Sequence, residues 1–289
     1  MIYPEYIQPH SLKDMWSKIP RNKKIYFLAG GTDLLCYLRD DFIDIEKSCF
    51  VDISLLKEIC GIKQYKEYIK IGSRTTFRDI SENPVLLKWC QPLNISAKTI
   101  GTPQIANRAT IGGNIANASP SGDSLPALIA LNARVEIANF RNKRLVNITG
   151  IFKGPKKTSL ANGEIITSIL IPKPKLKKGL AVKGGFKKIG GRRAHIISKI
   201  SVAIYAGVKG KTIDFINVAM GAVGPTVISV PNVSKILKDK KITPELIKKC
   251  ILEIQRVISP IDDFRSTADY RKEVTGPLFE QIMGEIIQG

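Results

Sequence analysis

The sequence predicts an α+β protein built in two parts. Through roughly the first 170 residues, short apolar runs of strand type alternate with segments of helical periodicity. A stretch rich in Pro and Lys at 172–179 interrupts this pattern, and three longer strand-like runs and two helices follow it. These three observations indicate a larger α+β domain, a basic linker and a smaller α+β domain.

The elements of the first part follow from its periodicity and its turn residues. Ser11 is a natural N-cap for the first helix, and Pro92 is expected to kink a longer helix. Residues 101–123, rich in Gly, Asn, Ser and Thr, are the least regular segment and are predicted to form a loop. In chain order, we predict a helix at 11–19, strands at 24–28, 49–53, 59–62 and 68–71, a helix at 84–100, a helix at 124–131, and strands at 134–138 and 164–171.

The second part has a simpler pattern. Strands at 181–189, 197–208 and 212–222 predict an antiparallel meander, with Lys209-Gly210-Lys211 as the turn between the last two. Helices at 244–258 and 267–287 close the chain. We find no internal repeat and no low-complexity tract.

Composition indicates a folded protein that is strongly basic. The 289 residues are 44% apolar and 24% charged, which excludes collagen, coiled coil and bulk disorder. The net charge is +20, and residues 141–199 carry sixteen Lys or Arg against one acid, Glu164. This excess fits an acidic partner or ligand, or only a lysine-rich surface typical of a biased genome or a hot habitat. Nucleic acid is disfavoured because aromatic residues are 7% and do not interleave with the basic ones.

Cysteine usage and hydropathy bear on location. The five cysteines form no Cys-x-x-Cys pair, and a scattered, odd-numbered set is typical of a reduced cytoplasmic protein. The first residues have neither a positive nor an apolar signal region. The longest uncharged run, residues 215–234, is interrupted by Pro, Gly and Asn. We therefore expect a cytoplasmic protein with no membrane span.

Most catalytic motifs are missing. His10 and His195 are the only histidines, which excludes histidine metal clusters and relays. There is no Gly-x-Ser-x-Gly elbow and no Gly-x-Gly-x-x-Gly fingerprint. Residues 185–190 have the glycine spacing of a P-loop, but Gly191-Arg192 follows where Lys-Ser/Thr is required. We therefore predict neither a catalytic side chain nor a metal site.

Two glycine-rich segments are the candidate ligand sites. The first follows a strand, and its consecutive glycines allow backbone N–H groups to converge on an anion, with the Thr32 hydroxyl as a further donor. The alternative is a plain strand-to-helix turn capped by Thr32 or Asp33. The first segment consists of Leu28, Ala29, Gly30, Gly31, Thr32, Asp33 and Leu34.

The second segment is followed by a long run of small and polar residues that ends at Asp123. Either a ligand completes this loop or the loop is a mobile surface segment. Asp123 is a candidate acceptor for ribose or ring N–H groups, or a helix cap. Together the two segments predict one ligand with two phosphates, such as a dinucleotide held outside a Rossmann fold. The second segment consists of Thr110, Ile111, Gly112, Gly113 and Asn114.

Longer stretches around these glycines carry a family resemblance. Ala29-Gly-Gly-Thr-Asp-Leu34 together with residues 100–120 (Ile-Gly-Thr-Pro-Gln-Ile-Ala-Asn-Arg-Ala-Thr-Ile-Gly-Gly-Asn-Ile-Ala-Asn-Ala-Ser-Pro) closely resembles the FAD-binding medium subunit of molybdenum hydroxylases. That family includes xanthine, nicotinate and aerobic-type carbon monoxide dehydrogenases. Residues 152–169 and 266–271 agree with it as well, so the resemblance runs over essentially the whole chain.

The resemblance implies a fold and a set of cofactor contacts. The fold is a vanillyl-alcohol-oxidase-type FAD-binding domain at 1–175, in two subdomains that meet near 55–60, and a C-terminal domain at 176–289. Residues 28–34 would wrap the FAD pyrophosphate, and 110–114 would face them. Lys187 would lie near the isoalloxazine, where a cation favours negative charge on the ring; its alternative is a solvated strand lysine. The remaining implied contacts are Ile100 and Gly101 along the cofactor, Asp123 as a polar contact, and Ile165 or Ile166 as an apolar one.

The resemblance also implies a role within an assembly. A large subunit would hold molybdopterin and a small subunit two 2Fe-2S clusters, in a heterotrimer or its dimer. This chain, an oxidoreductase subunit, would collect electrons on FAD and pass them to NAD, quinone, ferredoxin or oxygen. The alternative is a stand-alone FAD-dependent oxidase or reductase of the same fold. The shortage of histidines as substrate bases argues against that alternative.

Overall fold

The N-terminal sheet has three parallel strands. In the computed structural model, which describes residues 4–175, 177–191 and 197–288, the strand order is β1-β3-β2. The middle strand is almost wholly buried, as expected of a parallel strand covered on both faces. Ser11 caps the first helix as predicted, because its side chain accepts a hydrogen bond from the Asp14 amide. The elements are β1 (Glu5–Ile7), α1 (Leu12–Lys18), β2 (Lys24–Leu28), α2 (Leu34–Arg39) and β3 (Ser48–Asp52).

A five-stranded antiparallel sheet follows, with helices packed against it. Its order is β4-β5-β10-β6-β7. Its buried side chains form one core with α3 to α5, α7 and α8. The strands are β4 (Ile62–Gln64), β5 (Tyr68–Gly72), β6 (Arg134–Ala138), β7 (Lys143–Asn147) and β10 (Ile165–Pro172), with a small hairpin of β8 (Phe152–Gly154) and β9 (Lys157–Thr158). The helices are α3 (Phe77–Glu82), α4 (Pro84–Trp89), α5 (Gln91–Ala97), α6 (Pro103–Ala106), α7 (Ile111–Asn117) and α8 (Ser124–Ala130).

The C-terminal sheet is antiparallel and buried on both faces. Because side chains alternate across a strand, Ala203 and Tyr205 of its second strand join the core shared with α5 and α8. Val202 and Ile204 instead join a second core, built with the last two helices. The elements are β11 (Ala181–Ile189), β12 (Ile200–Lys209), β13 (Thr212–Gly221), β14 (Ile228–Ser229), α9 (Pro231–Leu237), α10 (Pro244–Val257) and α11 (Ala268–Gln288), with sheet order β11-β12-β13-β14.

Three local predictions were wrong, each for a physical reason. The helix predicted at 84–100 is two helices, because the chain leaves the helical conformation at Cys90 (φ −133°) and Pro92 lies in the first turn of α5, where its missing N–H has no cost. The strand predicted at 59–62 is a 3₁₀ turn at Lys57–Ile59, and β4 begins only after Gly61, whose φ is +89°. Residues 101–123 hold two short helices, α6 and α7, instead of a loop.

The connection to the C-terminal domain has no regular structure in its described part. Residues 173–175 and 177–180 form no helix or strand. Leu176, in the middle of the predicted linker, and His195 lie outside the described residues. The sequence patterns also missed helix α9 and strand β7, whose short, mixed segments carry little periodicity.

Candidate functional site

The first glycine-rich segment leaves a row of backbone donors unused. Within the described ranges, the five backbone N–H groups from Gly30 to Leu34 donate to no protein acceptor. The chain turns at Gly31, whose φ of +76° is in the left-handed region that favours glycine. The first internal hydrogen bond of the following helix runs from the Leu35 amide to the Gly31 carbonyl, at 3.1 Å. Consecutive unpaired amides of this kind form an anion-binding nest.

The two glycine-rich segments lie side by side. A Cβ on Gly30 would stand 2.0 Å from the carbonyl oxygen of Arg108, so only glycine allows this approach. Beyond the second segment, the Asn117 side chain donates to Asp33 Oδ1 at 2.8 Å. Lys156 donates to Asn117 Oδ1 at 2.9 Å and lies 3.7 Å from Asp33. The structure therefore brings together the two segments, about eighty positions apart in the chain, as the sequence predicts.

The amides of the second segment donate to acceptors within the protein, whereas the sequence predicts that they face a phosphate. The Ile111 amide donates to the Thr75 carbonyl at 3.1 Å and the Gly112 amide to the Ser73 carbonyl at 2.8 Å. The Gly113 amide donates to the capping hydroxyl of Thr110 at 3.2 Å. A Cβ on Gly112 would lie 2.5 Å from the Ser73 Cβ. This segment is thus the packed start of α7 and not a second nest of free amides.

A buried polar cluster joins the two domains. Lys188 Nζ donates to Asp123 Oδ2 at 2.6 Å and to the Thr99 carbonyl at 2.9 Å, and the Ser198 hydroxyl donates to Asp123 Oδ1 at 2.5 Å. The Lys188 and Asp123 side chains are only 10% and 8% exposed. Burial raises the pKa of Asp123, and the Lys188 ammonium and Ser198 hydroxyl act against that rise. Asp123 makes no helix-capping hydrogen bond, so that alternative is excluded.

Lys187, the lysine that the resemblance indicated, is not part of this cluster. It lies on the opposite face of β11, where its Nζ is 2.8 Å from Glu285 of the last helix. Lys188 shares a face with Phe186, which is buried in the core below. The signal was present in the sequence, because strand alternation places a lysine two residues after a buried phenylalanine on the buried side.

The other predicted contacts adjoin these features. Ile100 packs partly buried against the main core, one residue from the Thr99 carbonyl that accepts from Lys188. Gly101 turns at φ +58°. Ile165 belongs to the core of the N-terminal sheet and Ile166 to that of the five-stranded sheet, both 4% exposed. The beginning of β10 therefore passes from the core of the N-terminal sheet to the core of the five-stranded sheet.

Comparison with protein families identifies this arrangement. Residues 3–174 match the family model described as the FAD binding domain in molybdopterin dehydrogenase. The chain belongs to this FAD-binding family. Residues 186–286 of the flavoprotein match a second model, the CO dehydrogenase flavoprotein C-terminal domain. The family and the α+β, two-part fold expected from the sequence are therefore confirmed.

Similar proteins cover the flavoprotein along its whole length. It is 30% identical to the glyceraldehyde dehydrogenase medium chain of Sulfolobus acidocaldarius, over 99% of this chain and 100% of that one. It is 28% identical to the xanthine dehydrogenase FAD-binding subunit of Escherichia coli O157:H7, over 99% and 96%. Its fold superimposes on that of the carbon monoxide dehydrogenase from Hydrogenophaga pseudoflava with a TM-score of 0.88, at 26% identity and 98% coverage of both chains.

The residues present fit an FAD group. The pyrophosphate of FAD is an anion, and the unpaired amides from Gly30 to Leu34 form the kind of donor set that holds one. In the part of the chain that the structure describes, no three His, Cys, Asp or Glu side chains converge as a metal site would require. No helix among the described residues has the length and hydropathy to cross a membrane.

Proposed function

We propose that this chain is the electron-transfer subunit of a three-subunit molybdenum hydroxylase. It takes electrons from the iron–sulfur clusters of a partner onto FAD and delivers them to an acceptor such as NAD, quinone, ferredoxin or oxygen. The observation that carries the proposal is the row of unpaired amides from Gly30 to Leu34, in a chain whose family binds FAD. FAD supplies the chemistry, since it accepts electrons and releases them singly or in pairs.

We assign each predicted contact a part of the cofactor. Residues 28–34 hold the pyrophosphate, and the segment 110–114 packs beside them, with Gly113 exposed and the Asn114 side-chain oxygen accepting from the buried Ser124 hydroxyl. Ile100, Gly101 and Asp123 line the path toward the C-terminal domain, with Ile165 or Ile166 as the apolar contact. We assign to Lys188 the flavin-side role that the resemblance implied for Lys187, because Lys188 is the buried lysine of this strand and binds Asp123.

The partners are a large molybdopterin subunit and a small iron–sulfur subunit, in a heterotrimer or its dimer. The names of the relatives, medium chain and FAD-binding subunit, support such an assembly. Those names carry different substrates, so the similarity selects none for this protein. A division at about residue 175 is supported by separate sheets on its two sides. Free cysteines at all five positions support a cytoplasmic location.

The absorption spectrum of the purified chain tests the proposal. We expect a flavin spectrum, and about one FAD per chain released by heat or acid. Co-expression with the two partner genes is expected to yield a complex that contains molybdenum and iron. A colourless chain that does not bind added FAD would refute the cofactor site. A chain that oxidises substrate with FAD and no partner would favour the stand-alone oxidase.

A further inference from the structure

The first glycine-rich segment contains a carboxylate at the place where an anion binds. Asp33 is one of the five residues from Gly30 to Leu34 whose backbone N–H groups are unpaired within the described ranges. It also stands at the N-cap position of α2, where an aspartate side chain commonly accepts hydrogen bonds from nearby backbone amides. Among the residues that the structure describes, its side chain makes no such capping bond. The carboxylate therefore leaves the amides of its own segment open.

The Asp33 carboxylate instead has partners on the last residue of α7 and on the β8–β9 hairpin. Asn117 Nδ2 donates to Asp33 Oδ1 at 2.8 Å, and Lys156 Nζ lies 3.7 Å from the same oxygen. Lys156 Nζ also donates to Asn117 Oδ1 at 2.9 Å, and the Tyr37 hydroxyl donates to that oxygen at 3.3 Å. Because both donors face the amide oxygen, the NH₂ group of Asn117 is turned toward Asp33. Lys156 therefore attracts Asp33 directly and also orients the amide that binds it.

The backbone and a neighbouring ring fix the position of Lys156. Its φ of +57° is uncommon for a residue with a side chain. Its amide donates to the carbonyl of Ala118, the residue after α7, at 3.1 Å. Its Nζ lies 5.5 Å from the centre of the Tyr37 ring in α2, within the range of a cation–π contact. The hairpin therefore holds the ammonium between α2 and α7, next to Asp33.

We propose that Lys156 is a positioning residue for the FAD pyrophosphate, and that it acts by holding the Asp33 carboxylate away from the unpaired amides of residues 30–34. This inference rests on the proposed function, because it presumes that those amides bind the pyrophosphate. A carboxylate is itself an anion to which backbone amides donate. If Asp33 is released, it competes with the phosphates for the same donors and repels them. The Lys156 ammonium prevents the first effect and offsets the second.

The test is a titration of the full-length, FAD-free chain with FAD, followed by flavin fluorescence. Lys156→Met removes the charge and keeps a side chain of similar length, and it is expected to lower FAD affinity about tenfold. Lys156→Arg keeps the cation and is expected to retain most of the affinity. Lys157→Met is the matched control, because Lys157 is the next residue of the hairpin, is exposed, and has a side chain that donates to no acceptor within the described part of the chain. Its FAD affinity is expected to match that of the wild type.

A double variant decides how Lys156 acts. Asp33→Asn removes the negative charge and keeps the shape of the side chain, so this variant is expected to bind FAD at least as tightly as the wild type. When Asp33→Asn is added to Lys156→Met, the FAD affinity is expected to return to within about twofold of that of Asp33→Asn alone. The lysine then has no carboxylate to hold, and its loss no longer matters. The thermal midpoints of these variants are expected to stay close to that of the wild type, because the Lys156 and Asp33 side chains are 46% and 50% exposed.

The FAD affinity of the wild-type chain separates this inference from the proposed function. If the wild-type chain does not bind FAD, the proposed function itself fails. If the wild-type chain binds FAD and Lys156→Met binds it equally tightly, the inference is overturned. A double variant that binds as weakly as Lys156→Met overturns it as well, because the lysine would then contact a phosphate directly. Equal losses in Lys156→Met and Lys157→Met also overturn it, since they would show a general effect of positive charge.

Discussion

Gly31 carries the conformation on which the row of free amides depends. Its φ of +76° is strained for any residue with a side chain, and a Cβ would lie 2.9 Å from Leu35 Cδ1. Gly210 shares the left-handed conformation, at φ +58°, but a Cβ there would meet no atom within 4 Å, and the residue lies on the β12–β13 hairpin. Substitutions at these two glycines therefore separate the effect of backbone strain from the effect on cofactor binding.

We expect Gly31→Ala to lower FAD affinity and Gly210→Ala to leave it unchanged. Each substitution costs about 1 to 2 kcal/mol of backbone strain. Only at Gly31 can the chain relieve that strain by moving the amides, which weakens FAD binding roughly tenfold. Flavin fluorescence titration measures the FAD affinity, and thermal unfolding measures the stability lost to backbone strain. Equal FAD affinities in the two variants would show that this loop does not hold the pyrophosphate.

Lys188 and Lys187 form a matched pair on opposite faces of one strand. Lys188→Met leaves the buried Asp123 carboxylate without its cation, at a cost of about 3 to 5 kcal/mol of stability, and is expected to reduce FAD occupancy. Lys187→Met removes a partly exposed ion pair with Glu285, which contributes about 0 to 1 kcal/mol, and should leave the flavin spectrum unchanged. Thermal unfolding and the spectrum of each variant distinguish them, and Lys188→Arg is expected to recover part of the occupancy.

The opposite outcome for these two variants would contradict the assignment. A Lys187→Met chain that loses FAD while Lys188→Met keeps it would return the flavin-side role to Lys187.

At the scale of elements, an ion pair holds β7 to the start of β10. Arg144 donates to both oxygens of Glu164, at 2.9 and 2.7 Å, and the Glu164 side chain is 10% exposed. The Arg144 guanidinium lowers the pKa of Glu164 below its ordinary 4.5, and the Ala161 amide adds to that effect. Because the folded-state pKa is the lower one, the stabilisation is complete above the ordinary value and is lost as pH falls through the folded pKa.

We therefore expect acid to destabilise this pairing in a way that one substitution removes. The thermal midpoint of the wild-type chain should fall as pH decreases below 4.5, and Glu164→Gln should show a shallower decrease from a lower value at neutral pH. Unfolding followed by circular dichroism between about pH 7 and pH 3 measures both. Parallel curves for the two proteins would show that the Glu164 carboxylate contributes nothing to acid sensitivity.

At the scale of the whole molecule, the two domains meet where β11 crosses α5. A Cβ on Gly184 would lie 2.6 Å from Pro92 Cδ and 2.9 Å from the Ile204 carbonyl oxygen, so the strand approaches the helix closely only because residue 184 is glycine. The Lys188 cluster lies farther along the same strand. Packing at Gly184 and the ion pair at Lys188 therefore hold the C-terminal domain in one orientation.

Gly184→Ala is expected to loosen this junction. Overpacking costs about 1 to 3 kcal/mol, so we expect a lower unfolding temperature and faster proteolysis near residues 173–180. Gly284→Ala, in α11 with no atom within 4 Å of its Cβ position, is the control and should be neutral or stabilising. Unchanged proteolysis in Gly184→Ala would mean that the junction tolerates the added methyl group.

Much of the fold followed from local patterns. Strand β2 begins and ends as predicted, Ser11 caps α1, and the last two helices lie within a residue or two of their predicted bounds. The errors occurred where the chain breaks a helical pattern, at Cys90, or where periodicity is weak. The start of α7 reads as a loop because it consists of small residues, and packing against Ser73 makes it a helix.

The sequence by itself determined the α+β class, the family, the FAD cofactor and the glycine loop at 28–34, because these depend on local periodicity and on motifs that each occupy a short stretch of chain. Only the tertiary structure decided that the amides of 111–113 bond within the protein and that Lys188, not Lys187, meets Asp123. Those outcomes depend on which distant segments pack together. The carbonyls of Ser73 and Thr75 accept from the start of α7, and Asp123, next to α8, accepts from Lys188 of β11. Until those segments pack, neither the acceptors of the 111–113 amides nor the buried face of β11 is determined.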